Sequence, residues 1–238
     1  MTTPDWMLDE LAHAGPEHLD PGYVEGYDRK AQVDPSADLA AIREHGFGAD
    51  STLVDLGAGT GVFAFAAATE CRSVVAADVS RAMVGHVRSQ VAARGLGNVE
   101  VVRAGFVTYE HAGPPADFVF TRNALHQIPD FWKAIALDRI HRILAPGGIL
   151  RLNDLVYSFE AAEAEERMAA WFAGAVDDSS RGWTADELAE HVRTEHSTFT
   201  WLLEPMLEHA GFEILDRGYN RGAYAAYTCR TFATPKSI

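Results

Sequence analysis

The run Leu53-Val54-Asp55-Leu56-Gly57-Ala58-Gly59-Thr60-Gly61 constrains this chain more than any other segment. Thr52 to Leu56 has strand character and feeds a turn with glycine at every second position. Val62 to Thr69 then has helix character. Glycine lacks the Cβ that blocks unusual backbone angles and close approaches. A ligand can therefore lie against the main chain at the carboxyl end of the strand. Asp55 stands two residues before the first glycine, where its carboxylate can accept a hydrogen bond or pair with a ligand ammonium. Asp78 ends the next strand, in Val74-Val75-Ala76-Ala77-Asp78, where an acid can accept both hydroxyls of a ribose. Either aspartate alone could be a loop cap; with the glycines they form one cofactor site. The nicotinamide fingerprint is Gly-x-Gly-x-x-Gly, and the third glycine here comes one position early. The loop also lacks the lysine of a triphosphate cradle.

Strands and helices alternate around this turn. Ser73 to Ala77, Val99 to Arg103, Asp117 to Phe120 and Ile149 to Leu152 read as strands. Ser80 caps a helix to about Arg94, and a second helix runs from about Pro129 to Ile143 before Pro146-Gly147-Gly148. Short, nearly all-apolar strands between helices imply a parallel sheet covered on both faces, a doubly wound Rossmann-like α/β fold. Before it, Pro4 to His13, a segment from Pro21 and Pro35 to Glu44 read as helices, giving a helical cap over residues 1–50. Residues 51–238 form the main domain, interrupted at about 158–196 by a helical insertion or lid. There Phe159 to Phe172 is one helix, and Thr184 with Glu187 makes a capping box for another. Phe199 to Ala210 is a helix. Phe212 to Asp216 and Gly222 to Phe232 are strands joined through Gly218-Tyr219-Asn220-Arg221 as a hairpin.

The 238 residues carry 20 Lys and Arg against 34 Asp and Glu, a formal net charge of -14. Such a chain repels a phosphate backbone, which argues against nucleic-acid partners. Cys71 and Cys229 sit far apart in apolar surroundings and read as buried thiols. The start has no basic-then-apolar signal pattern, and no apolar run reaches bilayer length, so a cytoplasmic location without membrane contact is expected.

Through the glycine turn and the two acids, the sequence resembles class I S-adenosylmethionine-dependent methyltransferases, strongly over about residues 50–155 and more weakly over 212–232. The resemblance implies a seven-stranded, mostly parallel sheet with an antiparallel strand in the C-terminal hairpin. It also implies S-adenosylmethionine as cofactor, with Asp55, Gly57, Ala58, Gly59 and Gly61 forming its loop and Asp78 binding the ribose. Val79 would lie near the adenine. The family often places an acid after the third strand, but here the run is Arg103-Ala104-Gly105-Phe106, so Gly105 and Phe106 are left to supply backbone contact and stacking. Tyr23 and Tyr27 fall in the segment that covers the cofactor in related enzymes, and packing of the helix is the competing role.

The implied reaction is methyl transfer by in-line attack from an oxygen or nitrogen of a small organic acceptor. The segment Asp117 to Ile128, with Thr121-Arg122-Asn123-Ala124-Leu125-His126-Gln127-Ile128 at its end, would face cofactor and substrate. His126 is the candidate base or orienting group, Asn123 binds acceptor or cofactor, and Asp154 orients the acceptor or His126. Arg122 could hold an anionic substrate group, and Tyr157 lies where substrate-facing residues occur in this fold. Trp171, Phe172, Trp183 and Trp201 line an apolar pocket or form a core of the insertion. His191 and His196 do not reproduce a metal-binding helix motif, so no metal is expected. A protein or RNA methyltransferase, and a noncatalytic cofactor-binding or dimerisation module, remain as alternatives. The inserted helices permit either a lid or a homodimer face.

Overall fold

The computed structural model describes residues 4–19, 22, 24, 27, 30 and 34–232. The main elements are α1 (Ser36–Arg43), β1 (Thr52–Leu56), α2 (Val62–Ala68), β2 (Ser73–Asp78), α3 (Arg81–Arg94), β3 (Val99–Arg103), β4 (Ala116–Arg122), α4 (Asp130–Ile143) and β5 (Leu144–Tyr157). They continue with α5 (Ala164–Phe172), α6 (Ala185–Thr194), β6 (Thr198–Phe199), α7 (Thr200–His209), β7 (Phe212–Asn220) and β8 (Tyr224–Thr231).

The sheet runs β3-β2-β1-β4-β5-β8-β7, with short β6 beside β5. The pairs from β3 to β5 are parallel. β8 is antiparallel to both β5 and β7. The period of two along each strand divides the core. Val54 and Leu56 of β1, Val119 of β4 and Leu150 and Leu152 of β5 pack with Leu137 and Ile140 of α4 and Leu207 of α7. Leu53, Phe118, Phe120 and Ile149 pack with Leu39 and Ile42 of α1 and Phe63 of α2. Burial on two faces explains why these strands read as almost continuous apolar runs.

Several expected boundaries move. Pro4 to His13 is not one helix: Asp9 accepts a hydrogen bond from Leu11 N and starts a 3-10 turn only at Glu10–His13. Gly22, Val24, Tyr27 and Lys30 have helical backbone, and Tyr23 lies outside the described residues. The C-terminal hairpin turns at 221–223, later than expected, and Gly218 is still paired with Ala226. β5 is much longer than Ile149 to Leu152. The capping box of Thr184 and Glu187 is formed at the start of α6.

The segment between β5 and β6 has its own apolar cluster. Trp171 and Leu188 pack with Leu155, Tyr157, Phe159 and Ala223, with Phe172 and Trp183 at the edge. Trp201 stacks on Phe199 at 5.1 Å between ring centroids and stays exposed. Lys30 reaches this segment from the N-terminal side, with Nζ 2.5 Å from Glu187 and 4.5 Å from the Trp183 ring centroid. Among the described residues no helix is long and apolar enough to cross a membrane.

Candidate active site

The order of strands reverses at β1, which has β2 on one side and β4 on the other. The crevice beyond the carboxyl ends of strands at such a switch point is where open α/β sheets bind ligands. A cavity of about 1090 Å³, counted with its open mouth, occupies it. Ligand pockets run to roughly 300–1,000 Å³, so the space admits a ligand of cofactor size.

The glycine turn forms the floor. Gly57 N and Ala58 N donate to Ala77 O at 2.9 and 3.0 Å, and Gly59 N donates to Asp78 Oδ2 at 2.9 Å. The loop is thus tied to the end of β2. Gly57 has φ +74°, and a Cβ there would stand 2.4 Å from the Cβ of Ala124. Only glycine fits that crossing of the turn with the end of β4.

Two acids face the cavity from adjacent strands. Asp55 is 1% exposed, and its Oδ2 is buried without a hydrogen-bond partner. Burial, and secondly the charge of Asp78, push its carboxyl up to about 8. An unpaired buried carboxylate is costly, and a ligand cation beside it removes that cost. Asp78 accepts from Gly59 N through Oδ2 and from Ser80 N through Oδ1, the latter at 2.8 Å. Burial raises it from the ordinary value, and these amides oppose the rise. Each of its oxygens keeps a lone pair for a ligand hydroxyl.

Asp55, Gly57, Ala58, Gly59, Asp78, Val79, Gly105, Phe106, Asn123 and Tyr27 all line the cavity. Gly61 does not; it starts α2 at φ +83°. Asn123 has φ +48° and redirects the chain at the end of β4, a left-handed conformation that asparagine tolerates. Arg122 also lines the cavity while donating to Asp34 O at 2.9 Å.

His126 and Asp154 stand behind the cavity wall. Neither lines the cavity, and both are buried. Asp154 Oδ2 accepts from Leu125 N and His126 N at 2.7 and 3.2 Å; Oδ1 accepts from Leu155 N at 2.7 Å and contacts His126 Nδ1. His126 Nε2 lies 2.9 Å from Glu195 Oε2. Burial pulls the imidazole pKa down, but Asp154 and Glu195 more than offset it and push it up to about 9. The pair fixes the Leu125–Gln127 turn, and Gln127 and Ile128 carry that turn's edge into the cavity. Tyr157 packs in the inserted segment against Trp171, and burial raises its hydroxyl to about 12.

The cavity also holds residues that sequence reasoning missed, Glu10, Ala14 and His18, beside Gln127 and Ile128 of the expected segment. Glu10 is buried, and its Oε1 accepts from Val107 N at 3.1 Å while Oε2 accepts from Thr108 Oγ1 at 2.7 Å. It supplies a carboxylate beside the end of β3, where Arg103-Ala104-Gly105-Phe106 has none. Burial raises its carboxyl above the ordinary value. No spacing rule links residue 10 to residue 105, so no local signal could have found it.

Turn, switch point and paired acids define a Rossmann-like cofactor-binding enzyme domain. Residues 53–148 match the family of the methyltransferase domain. No curated protein matches the chain. Among solved structures, the chain is 19% identical to a SAM dependent methyltransferase from Aquifex aeolicus, with TM-score 0.62 over 89% of this chain and 98% of that one. It is 15% identical to the N-methyltransferase NodS from Bradyrhizobium japonicum in complex with S-adenosyl-L-homocysteine, with TM-score 0.59 over 83% and 85%. It is 20% identical to the cyclase SpnF, with TM-score 0.62 over 83% and 80%. At these identities the likeness is one of fold.

Proposed function

We propose that this enzyme transfers a methyl group from S-adenosylmethionine to an oxygen or nitrogen atom of a small organic acceptor. The observation that carries the cofactor's placement is the buried Asp55 oxygen left without a partner in a cavity floored by the glycine turn. In this reading Asp55 pairs with the ammonium of the cofactor's amino-acid end. Asp78 accepts the ribose hydroxyls. Val79, Gly105 and Phe106 pack along the adenine, and Glu10 adds a carboxylate at its edge. Tyr27 and Asn123 border the same space. Bound S-adenosylmethionine supplies a methyl carbon made electrophilic by the adjacent sulfonium.

The chain's own contribution is position and exclusion of water. His126 is held between the carboxylates of Asp154 and Glu195 and does not face the cavity, so it does not take a proton from the acceptor. Asp154 and His126 act by fixing the turn that presents Asn123 and Gln127. His18 is the histidine of the cavity lining. The small-acceptor reading is supported by Ala14, His18 and Tyr27, which close the cavity from the N-terminal side, and by the net charge of -14. In this reading Glu10, Ala14, His18 and Tyr27 cover the cavity from the N-terminal side, and the Lys30–Glu187 ion pair ties that side to the insertion at about 158–196. A cytoplasmic location, consistent with two buried free thiols, belongs to the same reading.

The test is transfer of a radiolabelled methyl group from S-adenosylmethionine into a fractionated cell extract. Label in the low-mass fraction is the expected result. Label confined to protein or RNA overturns the small-acceptor reading and leaves methyl transfer standing. Binding of S-adenosylhomocysteine without any transfer indicates a module that no longer catalyses.

A further inference from the structure

Outside the cofactor cavity, His126, His191 and Glu195 bring one ligating atom each within 4.8 Å of the others. His126 belongs to the turn after β4. His191 lies near the end of α6, and Glu195 caps it four residues later, on the same helix face. His126 Nε2 stands 2.9 Å from Glu195 Oε2, and His191 Nδ1 contacts the same oxygen. That oxygen is buried, and neither contact is directed as a hydrogen bond. The side chains are 5%, 11% and 18% exposed, so the cluster is enclosed.

The outward nitrogens are equally ordered. His126 Nδ1 is held by Asp154, and His191 Nε2 by Ser197 Oγ at 2.9 Å. Ligating histidines show this division, with one nitrogen for the ion and the other fixed by a polar neighbour. The two rings lie 5.2 Å apart with Glu195 against both, so the inward nitrogens and the carboxylate face one enclosed point. One divalent ion at that point would meet both nitrogens and the Glu195 oxygen that has no hydrogen-bond partner.

We propose that His126 Nε2, His191 Nδ1 and a carboxylate oxygen of Glu195 hold a divalent transition-metal ion of the zinc type. Two imidazoles and one carboxylate suit zinc in hardness and number, with water in the remaining position. Tetrahedral zinc with bonds of about 2.0–2.1 Å spaces its ligands by roughly 3.3 Å. Opening the 2.9 Å pair therefore takes a movement of a few tenths of an ångström, and the closer His191–Glu195 contact opens further. The ion ties α6 to the turn at His126, and the Gln127 amide, 3.2 Å from His126 Nε2, stands between the ion and the cofactor cavity. Sequence spacing drew attention to His191 and His196, but the His196 ring lies instead beside His13, at 5.4 Å.

The experiment uses the full chain without an affinity tag. The protein is stripped with chelator, dialysed, titrated with zinc chloride and counted for bound metal; a parallel sample takes cobalt for its visible spectrum. The expected result is one ion per chain, cobalt bands of a four-coordinate site, and loss of affinity of 100-fold or more in both His191→Ala and Glu195→Gln. Neither cofactor nor acceptor is present, so the outcome is independent of the methyl-transfer reading. The proposal is overturned if the unaltered protein binds no stoichiometric zinc and shows no such bands. Wild-type affinity in folded His191→Ala or Glu195→Gln overturns it equally. If a variant does not fold, the cobalt spectrum of the unaltered chain decides.

Discussion

Glu10 and Gly105 are in such close contact that a Cβ on the glycine would lie 2.3 Å from Glu10 Oε1. A residue of the N-terminal 3-10 turn thus depends on the absence of a side chain at the end of β3. Gly105→Ala should expel the Glu10 carboxylate and cost about 1–3 kcal/mol of stability, the usual penalty of overpacking. It should also weaken binding of S-adenosylhomocysteine by roughly tenfold, one lost hydrogen bond's worth. Glu10→Ala should give the same binding loss, and the double variant should lose no more than either single one. Calorimetric titration of the four proteins checks this; additive losses would mean that the two residues act separately.

Asp55 makes stability and binding oppose each other. Its folded pKa of about 8 lies above the ordinary 3.8, so the free protein binds this proton more tightly than the unfolded chain does. The stabilisation is complete below about pH 4 and is lost as pH rises through about 8. Asp55→Asn should therefore raise the melting temperature of the ligand-free protein at pH 8 and lower its affinity for S-adenosylhomocysteine by at least tenfold. A cationic ligand end should drive the proton off. Titrations near pH 7 in two buffers of different ionisation enthalpy should then show proton release, absent in the asparagine variant.

Gly57→Ala meets two obstacles at once: φ of +74° and a clash with Ala124. The left-handed angle costs roughly 1–2 kcal/mol, and the overlap displaces the end of β4. Loss of cofactor binding with a modest fall in melting temperature is expected. Ala124→Gly in the same chain should restore part of the binding by removing the clash and leaving the strain. No rescue would place the defect in the turn alone.

Asp154→Ala separates anchoring from proton transfer. Removing a carboxylate that receives three backbone amides and faces a buried imidazole should cost about 3–5 kcal/mol. Chemical denaturation measures it. A loss of turnover at unchanged stability would instead assign Asp154 a direct part in the chemistry.

The strands β1 to β4 were legible because two-sided burial leaves a simple apolar run between helix caps. β5 was not. Arg151 and Asp154 interrupt its apolar pattern, yet both are buried. Arg151 Nε is 2.8 Å from Asp38 Oδ1, and its NH1 donates to Thr228 Oγ1 at 3.1 Å, partners 113 and 77 residues away. A window of neighbours cannot see them. The glycine turn and its two acids were readable for the opposite reason, since Asp55 to Asp78 is one continuous unit. Glu10 and His18 reach the cavity from a segment whose position the sheet decides. His126 was placed on the right turn, but its ring points to Glu195, a direction that spacing does not encode.

The path of the last strands has a consequence for the chain as it is made. The ribosome delivers β7 before β8, yet β8 lies inside β7, bonded along β5 from Ile149–Arg230 to Leu155–Tyr224. Until residues 224–231 arrive, the nascent chain exposes the unpaired edge of an apolar strand. Such an edge invites pairing with other chains. Shortened products ending before β8 should therefore aggregate during synthesis, although every residue of the cofactor turn is already present.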